Sequence, residues 1–247
     1  MKRFGLIGKT LKHSFSKTYF GKKFIEEGII DCSYENFELS SIEKFPNLIA
    51  TNPDLKGLNV TIPYKEEVIR FLNFKNEIVE GTGACNCIKI VNGELHGYNT
   101  DVIAFKDTLQ KQLQPFHKCA LILGTGGASK AVQYALKQLS IDYLIVSRHK
   151  KENQLGYEDI GEDTIQKHQI IINTTPLGMY PNIDEDPPIP YEALTSQHLL
   201  YDLTYNPPKT KFLKQGESKD AKIINGLEML LAQAEESWKI WNSENMS

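Results

Sequence analysis

Residues 120–131 read Ala-Leu-Ile-Leu-Gly-Thr-Gly-Gly-Ala-Ser-Lys-Ala, so a short apolar run leads directly into a glycine-rich turn. Apolar residues then recur at helical spacing, at Val132, Leu136 and Leu139. This order favours a dinucleotide site, because glycines let the backbone approach a pyrophosphate and the helix N-terminus offers free N–H groups. The simpler alternative is a tight turn that binds nothing. We interpret the stretch as the start of a doubly wound nucleotide-binding domain.

The chain after this turn continues the alternation of strands and helices that such a domain requires. Further short apolar strands are predicted at Tyr143–Val146, Ile170–Ile172, Leu199–Leu203 and Lys222–Ile224. The stretch 150–169 is polar and contains glycines, so it predicts a shortened, irregular crossover instead of a full helix.

The end of the second strand of this domain bears on the choice of dinucleotide. An NAD site usually has an Asp or Glu there, about 20 residues after the glycine turn, to bind the ribose hydroxyls. Here the strand runs into the sequence SRHKK (147–151), which has no carboxylate. Arg148 can stack on adenine and bind a 2′-phosphate with paired hydrogen bonds, so we favour NADP over NAD; the alternative is a solvated basic turn. The predicted dinucleotide-binding residues are Gly124, Gly126, Gly127, Ala128, Ser129, Ser147 and Arg148.

The first hundred residues predict a separate α/β domain with a largely parallel sheet. The glycine and asparagine at Asn92-Gly93 predict a hairpin, because both residues tolerate positive φ. The tail from Leu227 to Trp241 predicts one helix with an apolar stripe at Leu227, Leu230, Leu231, Ala234, Trp238 and Trp241. The other predicted elements are strands at Phe4–Gly8, Ser33–Leu39, Leu55–Ile62, Cys85–Val91 and Glu94–Tyr98 and a helix at Lys17–Glu27.

Composition excludes several classes of function. The net charge of −3 gives no basic field for nucleic acid or an anionic membrane, and no apolar run approaches membrane-spanning length. The four cysteines form no CxxC pair, so we expect reduced thiols, no metal site and a cytoplasmic protein. Cys85 and Cys87 lie two apart in a predicted strand and are expected to share a face.

A lysine follows closely after the predicted start of a helix. Pro63 suits the first helical position, in a helix that would run to about Leu72. A cation is disfavoured at a helix N-terminus, so Lys65 breaks a local rule. Residues that break such rules are candidates for function.

The strand before Lys65 has polar and apolar residues in alternation. Asn59 and Thr61 are predicted on one face, and Val60 and Ile62 on the opposite face toward the core. The polar pair would then line a surface or cleft at the end of the strand. The alternative is an edge strand with one face in water.

Further motifs occur in order along the chain, and together they resemble the shikimate dehydrogenase family over nearly the whole length. They are far more specific than the glycine turn alone. The motifs are HSFS (13–16), GLNVTIPYKEEV (57–68), TGACN (82–86), YNTD (98–101), LGTGGASKA (123–131), NTTPLGM (173–179), DLTYNPPKTKFL (202–213) and NGLEMLLAQA (225–234).

The resemblance implies roles for individual residues. Lys65 and Asp101 would form the catalytic acid–base pair, and Ser14 and Ser16 would hold the substrate carboxylate. Asn59, Thr61, Asn86, Asp101 and Gln233 would bind the ring hydroxyls, and Tyr205 would reach the substrate. Thr174, Gly226 and Met229 would lie at the dinucleotide.

The resemblance also implies the reaction, which is the reversible reduction of 3-dehydroshikimate to shikimate by NADPH. Hydride arrival at a ketone makes an alkoxide, which needs a proton donor within hydrogen-bond reach, and a lysine ammonium can supply that proton. Alternatives are an NAD-linked quinate/shikimate dehydrogenase and a non-catalytic sensor of NADP or a metabolite. A folate-type dehydrogenase is disfavoured by the paired serines.

The sequence departs from the family pattern in places. Lys17 stands where the family usually has proline, and Cys85 and Cys87 replace the usual valine and threonine. The expected layout is a substrate-binding and catalytic domain of 1–101 plus 226–247, and a Rossmann-like NADP-binding domain of 102–225. The protein is expected to be a monomer or a homodimer.

Overall fold

The computed structural model describes residues 1–12 and 14–243, and the chain divides into two units. Unit 1 contains Met1–Thr100 and the tail from Gln233, and unit 2 is Asp101–Ala232. The boundaries therefore fall within two helices. His13 of the HSFS motif and 244–247 of the predicted tail lie outside the described residues.

Unit 1 is built on a mixed six-stranded sheet with the order β2-β1-β3-β5-β6-β4. β1 pairs in parallel with β2 and β3, and the β5–β6 hairpin is antiparallel. Asn92 and Gly93 have φ values of 52° and 85°, which confirms the predicted hairpin turn. The strands are β1 Lys2–Gly8, β2 Cys32–Glu38, β3 Leu55–Val60, β4 Phe74–Lys75, β5 Cys87–Val91 and β6 Glu94–Tyr98.

Helices cover both faces of this sheet. One face packs against helix α1 and the described tail, through a cluster that includes Phe4, Phe20 and Trp241. The opposite face packs Ile7, Leu58 and further apolar residues. The helices are α1 Phe15–Glu26, α2 Phe45–Thr51 and α3 Glu77–Thr82, with 3-10 turns at Ile42–Lys44 and Glu67–Phe71.

Unit 2 is built on an all-parallel six-stranded sheet. Its order is β12-β11-β10-β7-β8-β9, which places the first strand β7 beside the fourth strand β10. This is the doubly wound order, and ligands bind where it reverses, at the carboxyl ends of those two strands. The strands are β7 Cys119–Leu123, β8 Asp142–Val146, β9 Gln154–Leu155, β10 Ile170–Asn173, β11 Leu199–Asp202 and β12 Lys222–Ile224.

The helices of unit 2 confirm the predicted βαβ alternation and the irregular crossover. The crossover contains only β9, the 3-10 turn Tyr157–Asp159 and a six-residue helix. No described helix is long and apolar enough to cross a membrane. From the unit boundary onward the helices are α4 Thr100–Gln110, α5 Gly127–Gln138, α6 Glu162–Lys167, α7 Lys211–Glu217 and α8 Leu227–Asn242, with a 3-10 turn at Tyr191–Ala193.

The helix predicted from Pro63 is wrong. β3 ends at Val60, and turns follow over residues 62–66. The predicted helix is replaced by the 3-10 turn Glu67–Phe71. No α-helix begins at Pro63, so the argument from the dipole of that helix does not apply to Lys65. Because the strand ends before Ile62, that side chain is 78 % exposed and not in the core as predicted.

The predicted apolar stripe on the tail helix is wrong at its N-terminal end. Leu227 and Leu231 are 42 % and 37 % exposed. The fully covered side chains of α8 come later, at Ala234, Ser237 and Trp241. They are covered because this part of α8 lies on the sheet of unit 1, where the Trp241 indole donates to the Ile88 carbonyl at 3.0 Å.

Cys85 and Cys87 do not share a face as predicted. Both thiols are buried, but Cys85 belongs to the cluster on one side of the sheet and Cys87 to the cluster on the other. The reason is that β5 begins only at Cys87, so strand alternation does not extend back to Cys85. Burial raises the pKa of Cys85 to about 12, which keeps it a neutral thiol.

Candidate active site

A buried group of polar side chains lies between the sheet of unit 1 and α8. We call it the amide network and define it as Tyr34, Asn59, Asn86, Thr100 and Ser237. Asn59 is 5 % exposed and Asn86 is 3 % exposed, so both amides depend on protein partners. Three of these residues, Tyr34, Thr100 and Ser237, were not predicted as site residues from the sequence.

Asn59 is held from three directions. The Tyr34 hydroxyl donates to its Oδ1 at 2.8 Å. Its Nδ2 donates to the Ser237 hydroxyl at 2.9 Å and to the Asn86 carbonyl at 3.4 Å. The Ser237 hydroxyl donates in turn to the Gln233 carbonyl one turn earlier in α8, at 2.9 Å.

Asn86 is fixed by the start of α4. The Thr100 N–H donates to Asn86 Oδ1 at 2.7 Å, and Asn86 Nδ2 donates to the Thr100 hydroxyl at 3.0 Å. Thr100 thus binds both ends of the amide. Asp101, the next residue, lies half-buried in the first turn of this helix.

The paired serines lie at the start of α1. Ser14 is its N-cap and accepts from the Lys17 N–H at 3.3 Å, so Lys17 supplies backbone where the family has proline. Ser16 follows in the first turn of α1 and is half-buried. Burial raises the pKa of Tyr34, and Ser16 opposes the rise.

Thr61 and Lys65 lie in the turns after β3, and both are half-buried. The Thr61 N–H donates to the Ile7 carbonyl at 2.9 Å, which extends the pairing with β1 by one residue. The Lys65 carbonyl accepts from the Cys85 N–H at 2.7 Å, so the backbone at Lys65 is tied to the segment that precedes Asn86. Lys65 and Asp101 both take part in polar interactions within the structure.

The glycine turn of unit 2 meets β10 at the point where the strand order reverses. Gly124 has φ of +111°, and a Cβ there would lie 2.7 Å from the Thr174 hydroxyl. That hydroxyl donates to the Leu123 carbonyl at 2.7 Å. Gly124 and Thr174 therefore form one close backbone contact at the ends of β7 and β10.

The next two glycines are not explained by the protein's own packing. Gly126 has φ of −75° and is the N-cap of α5, with no side-chain cap. A Cβ added at Gly126 or Gly127 would meet no atom within 4 Å. Open space in front of a bare helix N-terminus is what a pyrophosphate requires, so these residues fit a dinucleotide.

Ser129 lies in the first turn of α5 with its side chain turned away from that open space. It is fully buried, and its hydroxyl accepts from Gln133 Nε2 at 3.1 Å. Ala128 beside it is half-buried. What these residues offer at the helix N-terminus is therefore backbone N–H groups.

One cation of the basic turn after β8 is already in an ion pair with a carboxylate. Lys150 pairs with Asp159 at 2.7 Å, and Asp159 also accepts from the Gly156 N–H at 2.7 Å. Arg148 is exposed and makes no ion pair within residues 1–12 and 14–243. Ser147 is half-buried, and its hydroxyl accepts from the His149 N–H at 3.2 Å.

A second buried group lies at the ends of β10 and β11; we call it the Asp202 network. Asp202 Oδ1 accepts from Asn173 Nδ2 at 3.1 Å and from the Thr204 N–H at 2.9 Å. Its Oδ2 accepts from the Thr210 hydroxyl at 2.6 Å. Burial outweighs these bonds and raises the pKa of Asp202 above its usual range. The network fixes the chain on both sides of Thr174 and Tyr205, and we did not predict it from the sequence.

The start of α8 is held close to β11. A Cβ at Gly226 would lie 2.1 Å from the Leu203 carbonyl oxygen, so this glycine is required by packing whether or not a ligand is nearby. Met229 is half-buried and Tyr205 is 38 % exposed. Gln233 is half-buried and belongs to unit 1.

Comparison with known proteins decides the family. A family model for the shikimate dehydrogenase substrate binding domain matches residues 6–88. The shikimate dehydrogenase (NADP(+)) of Caldicellulosiruptor saccharolyticus is 38% identical over 259 residues, which cover 98% of this chain and 92% of that protein. The chain belongs to the shikimate dehydrogenase family.

Solved structures of shikimate dehydrogenases share the fold. The shikimate 5-dehydrogenase of Thermus thermophilus, in complex with NADP(H) and shikimate, has a TM-score of 0.86 and 26% identity, and covers 98% of this chain and 94% of its own. The shikimate 5-dehydrogenase of Listeria monocytogenes, in complex with shikimate and NAD, has a TM-score of 0.87 and 25% identity, and covers 100% and 93%. The predicted α/β fold, with a Rossmann-type sheet, is confirmed.

Proposed function

We propose that this protein is an NADP-dependent shikimate dehydrogenase that reversibly reduces 3-dehydroshikimate to shikimate. The observation that carries the proposal is the likeness to shikimate dehydrogenases (NADP(+)) over almost the entire chain. Unit 1 adds a buried network of uncharged polar side chains, and unit 2 adds an open glycine turn. We further propose that the protein acts in the cytoplasm as a monomer or homodimer.

The substrate-binding residues of the proposal belong mainly to unit 1. Ser14 and Ser16 would hold the carboxylate, and their place at the N-terminus of α1 favours an anion. The ring hydroxyls would bind Asn59, Thr61, Asn86, Asp101 and Gln233. The amide network supports this assignment because it holds two of these side chains in fixed orientation. Tyr205 is proposed as a further substrate-binding residue.

Lys65 and Asp101 are proposed as the acid–base pair. In the reductive direction the Lys65 ammonium would donate a proton to the alkoxide oxygen, and in the oxidative direction the neutral amine would take it back. Asp101 would hold the ammonium by charge and accept a hydrogen bond from a ring hydroxyl. The turn that carries Lys65 is fixed to the segment before Asn86, which supports a defined position for this residue.

NADPH, when bound, supplies the hydride to the ketone carbon. Gly124, Gly126, Gly127, Ala128 and Ser129 would bind its pyrophosphate through backbone N–H groups, and Thr174, Gly226 and Met229 would line the nicotinamide side. Arg148, with Ser147, would bind the 2′-phosphate, since it carries a guanidinium without an ion-pair partner in the described chain.

The test is a steady-state assay of shikimate oxidation with NADP, repeated with quinate and with NAD. We expect the highest kcat/KM for shikimate with NADP. A higher kcat/KM for NAD or for quinate would favour an NAD-linked quinate/shikimate dehydrogenase. Tight dinucleotide binding without any turnover would favour a non-catalytic sensor and would contradict the proposal.

A further inference from the structure

The orientations of the two buried side-chain amides of unit 1, Asn59 and Asn86, are fixed. Each amide contacts a backbone group that can only donate or can only accept a hydrogen bond. The Thr100 N–H can only donate, so the atom it contacts at 2.7 Å is the Asn86 oxygen. The backbone carbonyl of Asn86 can only accept, so the Asn59 side-chain atom that it contacts at 3.4 Å is the nitrogen.

Asn59 retains one unused hydrogen-bonding position. Both hydrogens of its Nδ2 are used, one by the Ser237 hydroxyl and one by the Asn86 carbonyl. Ser237 must accept there, since its own hydrogen goes to the Gln233 carbonyl. The Tyr34 hydroxyl occupies one lone pair of Asn59 Oδ1. Within residues 1–12 and 14–243, the second lone pair of Oδ1 is left, and it is an acceptor.

Asn86 retains the opposite capacity. Its Oδ1 accepts from the Thr100 N–H at 2.7 Å, and the Thr100 hydroxyl, which has a single hydrogen, lies 3.3 Å from both this oxygen and the Ser237 hydroxyl. Asn86 Nδ2 donates one hydrogen to the Thr100 hydroxyl. Among the described residues, the second N–H of Asn86 has no partner, and it is a donor.

We propose that Tyr34 and Ser237 are positioning residues that present Asn59 to the substrate only as an acceptor, while Thr100 orients Asn86 so that one side-chain N–H remains as a donor. A ring hydroxyl both donates and accepts, so it satisfies the pair. A fluorine or an ether oxygen at the same carbon has no proton to give and leaves Asn59 unsatisfied. This inference rests on the proposed function, in which both asparagines bind ring hydroxyls.

The position of Ser237 supports a purpose beyond filling space. It lies in α8 at a fully buried point, where its hydroxyl is also 3.3 Å from the Thr100 hydroxyl. Tyr34 carries its hydroxyl on a ring that stacks on Phe20 with centroids 4.6 Å apart, so the ring stays in place when the hydroxyl is removed.

The experiment compares Ser237→Ala and Tyr34→Phe with wild type. The matched control is Tyr201→Phe, which also removes one buried phenol hydroxyl, here bonded to Thr108 at 2.7 Å in unit 2. Substrates are shikimate and its 4-deoxy-4-fluoro and 5-deoxy-5-fluoro analogues, with NADP. KM for shikimate, KM for NADP and kcat are measured for each protein.

Loss of one buried hydrogen bond is expected to raise KM for shikimate about tenfold in both test variants, with KM for NADP unchanged. The preference for shikimate over the analogue that lacks the bound hydroxyl should fall by a similar factor, because the freed amide can turn and offer its N–H to fluorine. The Tyr201→Phe control should keep the wild-type KM for shikimate and the wild-type preference for shikimate over the analogue. A purely structural role would lower the melting temperature and leave that preference intact.

Two outcomes would overturn the inference. One is an unchanged preference in Tyr34→Phe, which stands alone if Ser237→Ala fails to fold. The other is an equal loss of preference in Tyr201→Phe. If wild type does not oxidise shikimate at all, the proposed function itself fails, and this result is distinct from the other two.

Discussion

The two buried polar networks both pair buried hydrogen-bonding groups, but they use different chemistry. The amide network of unit 1 is uncharged, and its members come from distant parts of the chain, from Tyr34 to Ser237. The Asp202 network of unit 2 is centred on a carboxylate, and its members come from the ends of two adjacent strands and the start of α7.

The difference shows which network has capacity to bind a ligand. Both oxygens of the Asp202 carboxylate accept hydrogen bonds within the protein, from Asn173, Thr204 and Thr210. The carboxylate therefore holds the loops after β10 and β11 in place. Each amide in unit 1 keeps one hydrogen-bonding position for an outside group. We therefore expect variants in unit 1 to change the parameters of shikimate, and variants at the glycine turn of unit 2 to change those of NADP.

The largest expected effect comes from Lys65→Ala. Loss of the general acid–base group should lower kcat by about a thousandfold, with the dissociation constant of NADP unchanged, because the lysine belongs to unit 1. Single-turnover kinetics and NADP titration measure the two quantities. Lys56→Ala, at an exposed position of β3, is the matched control and should behave as wild type. A loss of less than tenfold would remove Lys65 from the chemistry.

The Asp202 network gives the largest expected effect on stability. Asp202→Ala leaves several buried donors unsatisfied and should lower the free energy of unfolding by about 3 kcal/mol. Asp202→Asn keeps an acceptor for the Thr204 N–H, and its Nδ2 can donate to the Thr210 hydroxyl. Urea unfolding of the three proteins should rank Ala far below Asn. Equal losses would show that the bonds are not responsible.

The same site predicts a pH dependence. Burial raises the pKa of Asp202 in the folded state, so in the pH window above its unfolded pKa the folded protein binds more protons than the unfolded one. This group therefore contributes stability that falls as pH rises through that window. Asp202→Asn should lose this contribution, which urea unfolding across the window compares with wild type. An identical slope in both proteins would contradict the assignment.

Gly126→Ala gives a smaller effect, confined to the dinucleotide. Its Cβ enters open space, so stability should change little, while KM for NADP should rise about tenfold because the pyrophosphate loses its close approach. Gly161→Ala is a matched control, since Gly161 is also a helix N-cap in unit 2 with no atom near an added Cβ. A similar KM for NADP in both variants would argue against binding at Gly126.

Local sequence pattern was enough to predict the doubly wound sheet. The run 120–131 and the apolar strands at 170–173 and 199–202 could be recognised locally, because these parallel strands are buried on both faces. The irregular crossover was also predicted, since 150–169 lacks an apolar stripe. The helix at Pro63 failed, because a proline that suits a helix start is equally suited to a turn.

The amide network could not be predicted, because its members meet only after folding. Ser237 offered one weak sign, a small polar residue on the buried side of α8 between Ala234 and Trp241. Tyr34 and Thr100 offered none. The stripe predicted on α8 was wrong at Leu227 and Leu231 because helical periodicity shows that residues share a face, and does not show that the face is covered.

The most direct test of the account is amide hydrogen exchange of the wild-type protein with shikimate alone and with NADP alone. We predict that shikimate slows exchange in peptides that contain Asn59, Asn86 and Ser237, and that NADP slows exchange in residues 120–131 and around Arg148. Protection by shikimate restricted to the glycine turn, or by NADP restricted to the amide network, would contradict the assignment of the two ligands to the two units.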